Sequence, residues 1–309
     1  MRDIEKIAVV GCGLIGMSWT SLFLAQGYKV QIVEPNLENQ NALQPFIEQA
    51  WPLLEQLGLV TVDTIPRVQI CNDVSELVGI DFVQENVADR IEVKHKVIAD
   101  LEHVVDKDVI ISSSTSSLMA TDIQMHANHS ERIAVGHPMN PPHMIPMVEI
   151  VAGEQTSEQT IDELERFYKA CKRVTIRVQK EVIGHLANRL TSALYREAVS
   201  IAQQGIASVE DIDKAIAYGP GMRWALMGPH LTYHLGGGQG GYQHYLDHLG
   251  PTQEARWQDQ KIPQLTESLK KELVAGVEQE LAQQDSETLI QRRDQALVEI
   301  YRLKEKFGL

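Results

Sequence analysis

His137 and Glu149 are a base and a carboxylate twelve positions apart, joined by a proline-rich stretch, His137-Pro-Met-Asn-Pro-Pro-His-Met-Ile-Pro-Met-Val-Glu149. An imidazole titrates near neutral pH, and a carboxylate on its far nitrogen sets the tautomer and favours the imidazolium, so the pair makes a proton shuttle. Pro138, Pro141, Pro142 and Pro146 cannot continue a helix or a central strand, which predicts a stiff loop between two strands that folds Glu149 back onto His137. Taken alone, a His beside such a loop is more often a turn residue than a catalyst. Its surroundings must decide.

The second chemical feature is Gly11-Cys-Gly13-Leu-Ile-Gly16, which follows the β-branched run Lys6-Ile-Ala-Val-Val10 and opens a helical pattern through Trp19, Phe23 and Leu24. Gly11 permits a tight turn, Gly13 lets the backbone approach a pyrophosphate, and Gly16 packs closely, while the first helical amides, from Leu14 and Ile15 onward, can hold the anion. The next strand pattern, Tyr28-Lys-Val-Gln-Ile-Val-Glu34, ends in an acid about 20 residues after the glycines, where a carboxylate accepts both ribose hydroxyls of NAD. A 2'-phosphate there would meet like charge costing ~4 kcal/mol at ~4 Å and an effective dielectric of ~20. No Lys or Arg between Lys29 and Arg67 offsets it, so NAD is expected over NADP.

Further candidates sit at strand ends. Glu85 follows Asp81-Phe-Val-Gln, at the edge where such sheets bind ligands, and is expected near the nicotinamide unless it is simply a strand-end acid. Ser112-Ser-Ser-Thr-Ser-Ser117 occupies the same edge; a hydroxyl there could donate to a substrate oxygen, although most would cap a helix. Asn188 lies with Gly184, Thr191 and Tyr195 on one helical face, able to meet a ligand or merely water. Arg223 and Trp224, after Gly219-Pro-Gly221, suit a substrate carboxylate through a bidentate guanidinium, or a helix-start salt bridge. His230 with His234, and His244 with His248, have i,i+4 spacing, but no nearby cysteine supports a metal and none is expected.

The elements that must position these residues alternate. Strand patterns at 6–10, 28–34, 68–71, 81–85, 109–113, 132–136, 147–151 and 174–178 are separated by helical stretches, which predicts an α/β, Rossmann-like, doubly wound and mostly parallel sheet. Residues 36–57 read as a long helix interrupted near Pro45 and Pro52, a possible helical hairpin, and 73–78 as helical. Beyond a boundary near Gln179 to Glu181 the pattern is all-α, giving domains at 1–182 and 183–309. Gly236 to Gly241 lacks the Lys of a phosphate-binding loop and reads as a mobile loop, followed by two charged amphipathic helices at 265–283 and 286–306 suited to pairing with another subunit.

Composition excludes whole classes. The chain has 309 residues, 43% of them hydrophobic and 23% charged, as in a globular protein with room for two domains. A net charge of -14 argues against nucleic acid or an anionic membrane surface as a partner. Three scattered cysteines make neither a disulfide framework nor a thiolate zinc site, and the charged start lacks the apolar core of a signal peptide, so a cytoplasmic location is expected.

Together Gly11-x-Gly-x-x-Gly16, Ser114-Thr-Ser116-Ser, His137-x-x-Asn140-Pro, Glu149 and Asn188-Arg189 resemble the L-3-hydroxyacyl-CoA dehydrogenase superfamily over nearly the whole chain. The resemblance implies an NAD-binding domain, a helical dimer-forming domain, and a His137-Glu149 dyad that takes the 3-hydroxyl proton as hydride leaves for the cofactor. It implies too that Ser116 and Asn188 hold the reacting oxygen and that Asn140 lies at the cofactor. Ser112-Ser-Ser-Thr-Ser116, His137-Pro-Met-Asn-Pro-Pro142 and Gly221-Met-Arg-Trp-Ala225 look most like the branch with L-gulonate 3-dehydrogenase (lambda-crystallin) and L-carnitine dehydrogenase, which act on free 3-hydroxy acids. Residues 30–66, without Lys or Arg, offer little to the phosphates of CoA. A quaternary ammonium would want rings such as Trp224, Tyr233 or Tyr242. The alternatives are a 3-hydroxyacyl-CoA substrate and, in another class, a non-catalytic NAD-binding crystallin.

Overall fold

The computed structural model describes residues 4–281 and 285–309, and the chain divides into two compact units, Met1–Arg189 and Leu190–Leu309. The first unit runs β1 (Lys6–Val10), α1 (Leu14–Ala25), β2 (Lys29–Val33), α2 (Leu37–Gln56), β3 (Gln69–Cys71), β4 (Phe82–Glu85), α3 (Ile91–Glu102), β5 (Ile110–Ser113), α4 (Ala120–Gln124), β6 (Ile133–Pro138), β7 (Met147–Ala152), α5 (Glu158–Ala170) and β8 (Val174–Val178). Its strands form one sheet in the order β3-β2-β1-β4-β5-β6-β7-β8. Strand interiors such as Ile7-Ala-Val and Phe82-Val are fully buried, as they must be when helices cover both faces.

Every pairing is parallel except β6 with β7. Only residues 139–146 join those two strands, too few for a parallel crossover, so the chain turns straight back. The register sets His137 directly opposite Glu149.

Two expectations change in the first unit. Residues 37–56 form one continuous helix rather than a hairpin, with Pro45 and Pro52 inside it. Both prolines lie on the exposed face, where water can satisfy the carbonyls they leave unbonded, while Leu43, Ile47, Ala50, Trp51 and Leu54 hold the other face in the core. The helical stretch expected at 73–78 shrinks to a single 3-10 turn, Val74–Glu76, capped by Asp73.

The second unit is helical: α6 (Ala187–Gln203), which begins in the first unit, then α7 (Val209–Tyr218), α8 (Pro220–Trp224), α9 (Pro229–Gly236), α10 (Gly241–Asp259), α11 (Glu267–Leu281) and α12 (Ser286–Phe307). Where the sequence read as a mobile loop, Gly236 to Gly241 is a tight junction, a 3-10 turn at Gly238–Gly240 between α9 and α10. Gly241 has φ +59, and a Cβ there would meet His234 Cε1 at 2.7 Å. The core of this unit is thin, with Val199, Ala202, Ile212, Leu269 and Val298 as its buried apolar residues among those described.

Candidate active site

The opposed positions of His137 and Glu149 on β6 and β7 put their side chains in contact, Nδ1 lying 2.7 Å from Oε2. Glu149 is fully buried and His137 is 5% exposed. The second carboxylate oxygen accepts from the backbone amides of Leu186 and Ala187, at 2.7 and 2.8 Å, where α6 begins. Burial alone would push the Glu149 carboxyl up, but the bonds from His137 and the two amides outweigh it and hold it below the ordinary carboxylate range. An ionised Glu149 therefore accepts the hydrogen bond that His137 Nδ1–H donates. That leaves Nε2 as the basic nitrogen.

His137 opens on a cavity of about 430 Å³ whose wall includes Ile15, Asp89, Ser116, Met139, Asn140 and Asn188. Ile15, Ser116, His137, Asn140 and Asn188, chosen from sequence, thus share one space. Ser116 Oγ donates to Asp89 Oδ2 at 3.2 Å, and Asn188 Nδ2 donates to the carbonyl of Ser116 at 3.3 Å. Burial would raise the Asp89 carboxyl, but bonding from Thr115 and the nearby Lys94 ammonium keep it below its ordinary range, and so ionised.

A second cavity, of about 510 Å³, is lined by Gly11, Gly13 and Glu34, and it shares Asn86 and Val87 with the first. Gly11 (φ +98) has no room for a Cβ, which would lie 2.9 Å from the Asn86 carbonyl oxygen; at Gly16 a Cβ would strike the Gly11 carbonyl. Nothing stands within 4 Å of a Cβ at Gly13, which is where a pyrophosphate needs space. Gly13 is the N-cap of α1 and supplies no side-chain bond, so the first-turn amides are open to an anion. Leu14 is half exposed. Glu34 is held by the amides of Cys12 and Asn36, at 3.0 and 2.8 Å, with its carboxylate on the cavity wall. These residues fit a dinucleotide. Lys96 also lines this cavity, a cation missed in the 29–67 stretch because α3 brings it; it is bonded to Asp100 at 2.8 Å.

Glu85 departs from expectation. Its side chain is completely buried and lines neither cavity. Lys94 Nζ lies 2.9 Å from both its oxygens, and Val87 N and Ser113 Oγ bond to it as well. The carboxylate is turned inward because α3 carries Lys94 on its apolar side, with Ile91, Ile98 and Leu101 at helical spacing, and a buried ammonium needs a partner. Asn86, Val87 and Asp89 form the wall instead. The one hint in the sequence was a lysine on an apolar stripe.

Arg223 and Trp224 lie exposed on α8 in the second unit; among the described residues no carboxylate pairs with Arg223. His230 Nδ1 meets the Tyr242 hydroxyl at 2.8 Å, His234 Nδ1 accepts from the Tyr242 amide, and the His244 and His248 rings lie tilted with centroids 4.1 Å apart. Among the described residues no group of three or more His, Cys, Asp or Glu is arranged to hold a metal ion.

Residues 6–182 match the family described as 3-hydroxyacyl-CoA dehydrogenase, NAD binding domain, and residues 184–278 match 3-hydroxyacyl-CoA dehydrogenase, C-terminal domain. L-carnitine dehydrogenase of Bacillus cereus is 40% identical over 307 residues, covering 99% of this chain and 94% of that protein. The L-carnitine dehydrogenase of Streptomyces coelicolor is 38% identical over 308 residues, covering 99% and 97%. Among solved structures, 5-formyl-3-hydroxy-2-methylpyridine 4-carboxylic acid 5-dehydrogenase superimposes with a TM-score of 0.85 at 25% identity, covering 98% of this chain and 99% of that one. The chain belongs to the 3-hydroxyacyl-CoA dehydrogenase family and is an NAD-dependent oxidoreductase of 3-hydroxy acids.

Proposed function

We propose that the chain oxidises a free L-3-hydroxy acid, L-carnitine or a close analogue, with His137 as the base. The observation that carries the dyad is the bond from His137 Nδ1 to Glu149, which leaves Nε2 free beside a cavity holding Ser116 and Asn188. Bound NAD supplies the hydride acceptor. Gly11, Gly13, the amides of Leu14, Ile15 and Gly16, together with Glu34 and Asn140, hold it. His137 Nε2 takes the hydroxyl proton of the substrate, and returns it when the 3-oxo acid is reduced. Glu149 stabilises the imidazolium formed, and Ser116 and Asn188 orient the reacting oxygen. Arg223 is the candidate clamp for the substrate carboxylate and Trp224 the candidate ring for its other end.

Two features favour a free, cationic substrate over a CoA thioester. The L-carnitine dehydrogenases match over nearly the full chain. Charge points the same way: α2 carries Glu38, Glu48 and Glu55 with no Lys or Arg, and Asp89 is the ionised carboxylate on the wall of the His137 cavity. An anionic phosphate would be repelled there; a trimethylammonium would not. We further propose a cytoplasmic homodimer. Three buried free cysteines suit a reducing compartment, and exposed Val274, Val277, Ile300, Leu303 and Phe307 on α11 and α12 suit burial against a second copy.

The test is NADH production from L-carnitine, L-gulonate, 3-hydroxybutyrate and 3-hydroxybutyryl-CoA in parallel. The expected result is the highest kcat/KM with L-carnitine. A thioester faster by orders of magnitude would overturn the charge argument, and no NADH from any of them, with NAD still bound, would favour a non-catalytic binder.

A further inference from the structure

His185 is a second imidazole beside the dyad, its ring centroid 5.2 Å from that of His137, and it is 1% exposed. Its Nε2 lies 3.1 Å from the carbonyl oxygen of Thr115. A carbonyl only accepts, so Nε2 carries the proton and Nδ1 is left as a lone-pair acceptor. That Nδ1 is buried without a partner. The backbone is unusual too: Gly184 has φ +79 and His185 φ +49, a left-handed conformation that L side chains rarely adopt. Packing does not account for this residue. A phenylalanine would fill the space without an orphaned nitrogen, and glycine or asparagine would ease the backbone.

What the imidazole adds is one donor in a critical place. The two amides that follow it, Leu186 and Ala187, hold Glu149, and the carbonyl it reaches belongs to the residue before Ser116. We propose that His185, as the neutral Nε2–H tautomer, is a positioning residue that ties the turn holding Glu149 to the Thr115–Ser116 segment and so keeps Ser116 in register with His137. The assignment rests on the reading of His137 as the base and Ser116 as the oxygen holder. Strain and an unsatisfied atom at such a point are what a functional constraint leaves behind.

The test compares His185→Phe, which keeps a ring and loses the donor, with His185→Gln, whose Nε2 can still reach Thr115. In the full-length enzyme, His185→Phe should lower kcat about tenfold or more with KM for NAD within about twofold, and His185→Gln should recover most of it. Full kcat in His185→Phe, or equal loss in both variants, overturns the proposal, as does a parallel loss of NAD binding and thermal midpoint in both. Ring nitrogen-15 shifts of the unsubstituted protein provide a readout independent of turnover. They should show His185 as the Nε2–H tautomer at neutral pH, and a cationic or Nδ1–H ring overturns the assignment. If no 3-hydroxy acid is oxidised, the functional reading falls while the tautomer remains measurable.

Discussion

At the scale of single residues, His137 and Glu149 differ in exposure. His137 reaches the cavity, whereas Glu149 is sealed behind it with each oxygen committed, one to the ring and one to two amides. Replacing His137 with Ala should leave NAD affinity unchanged and lower turnover roughly 10²- to 10⁴-fold; stopped-flow rates with parallel NAD titration check it, and lost cofactor binding would instead make His137 structural. Glu34 acts in a different place. Its carboxylate is fixed by Cys12 and Asn36 on the wall of the other cavity, so Glu34→Ala should raise KM for NAD about tenfold with kcat little changed. An unchanged KM would place the ribose contact elsewhere.

At the scale of elements, the interior of the first unit is organised by α3 as much as by the glycine turn. Lys94 is 1% exposed and is satisfied by Glu85, with Asp89 at 3.4 Å. Lys94→Met removes the ammonium and leaves Glu85 buried and unpaired, which should cost about 3–5 kcal/mol. Urea unfolding measures this; a cost below ~1 kcal/mol would mean that Glu85 finds another partner or protonates freely. The antiparallel β6–β7 pair shows what was legible beforehand. Both strands and the proline loop follow from residue types, and the loop's shortness alone forces the reversal that opposes His137 and Glu149. The continuity of α2 was not legible, because whether a proline breaks a helix depends on which face it occupies in the folded unit.

At the scale of the whole molecule, stability should depend on acid through His143. Burial, and then Arg173, lower its pKa to about 4 from 6.5, and its Nδ1 lies 2.8 Å from the hydroxyl of Ser18. The unfolded chain binds this proton more readily than the folded one, so stability is intact above pH 6.5 and is lost as pH falls from there toward 4, by up to about 3 kcal/mol. Urea midpoints for the parent and His143→Gln across that window should show a smaller fall in the variant; identical falls would assign the acid sensitivity elsewhere. The thin core of the second unit, together with exposed Val274, Val277, Ile300, Leu303 and Phe307 on α11 and α12, belongs to the same scale.

The sequence by itself determined what is local: eight strand patterns, the glycine turn with Glu34 after it, and a base and acid spaced for one hairpin. These depend on periodicity and on the conformational limits of Gly and Pro, which act between near neighbours along the chain. Only the tertiary structure decided that Asp89 rather than Glu85 faces the cavity, that Lys96 from α3 lines the cavity of Gly11, Gly13 and Glu34, and that His185 stands by His137. Each depends on a partner far away in sequence, Lys94 for Glu85 and Thr115 for His185, and a buried polar group turns toward whichever distant group satisfies it.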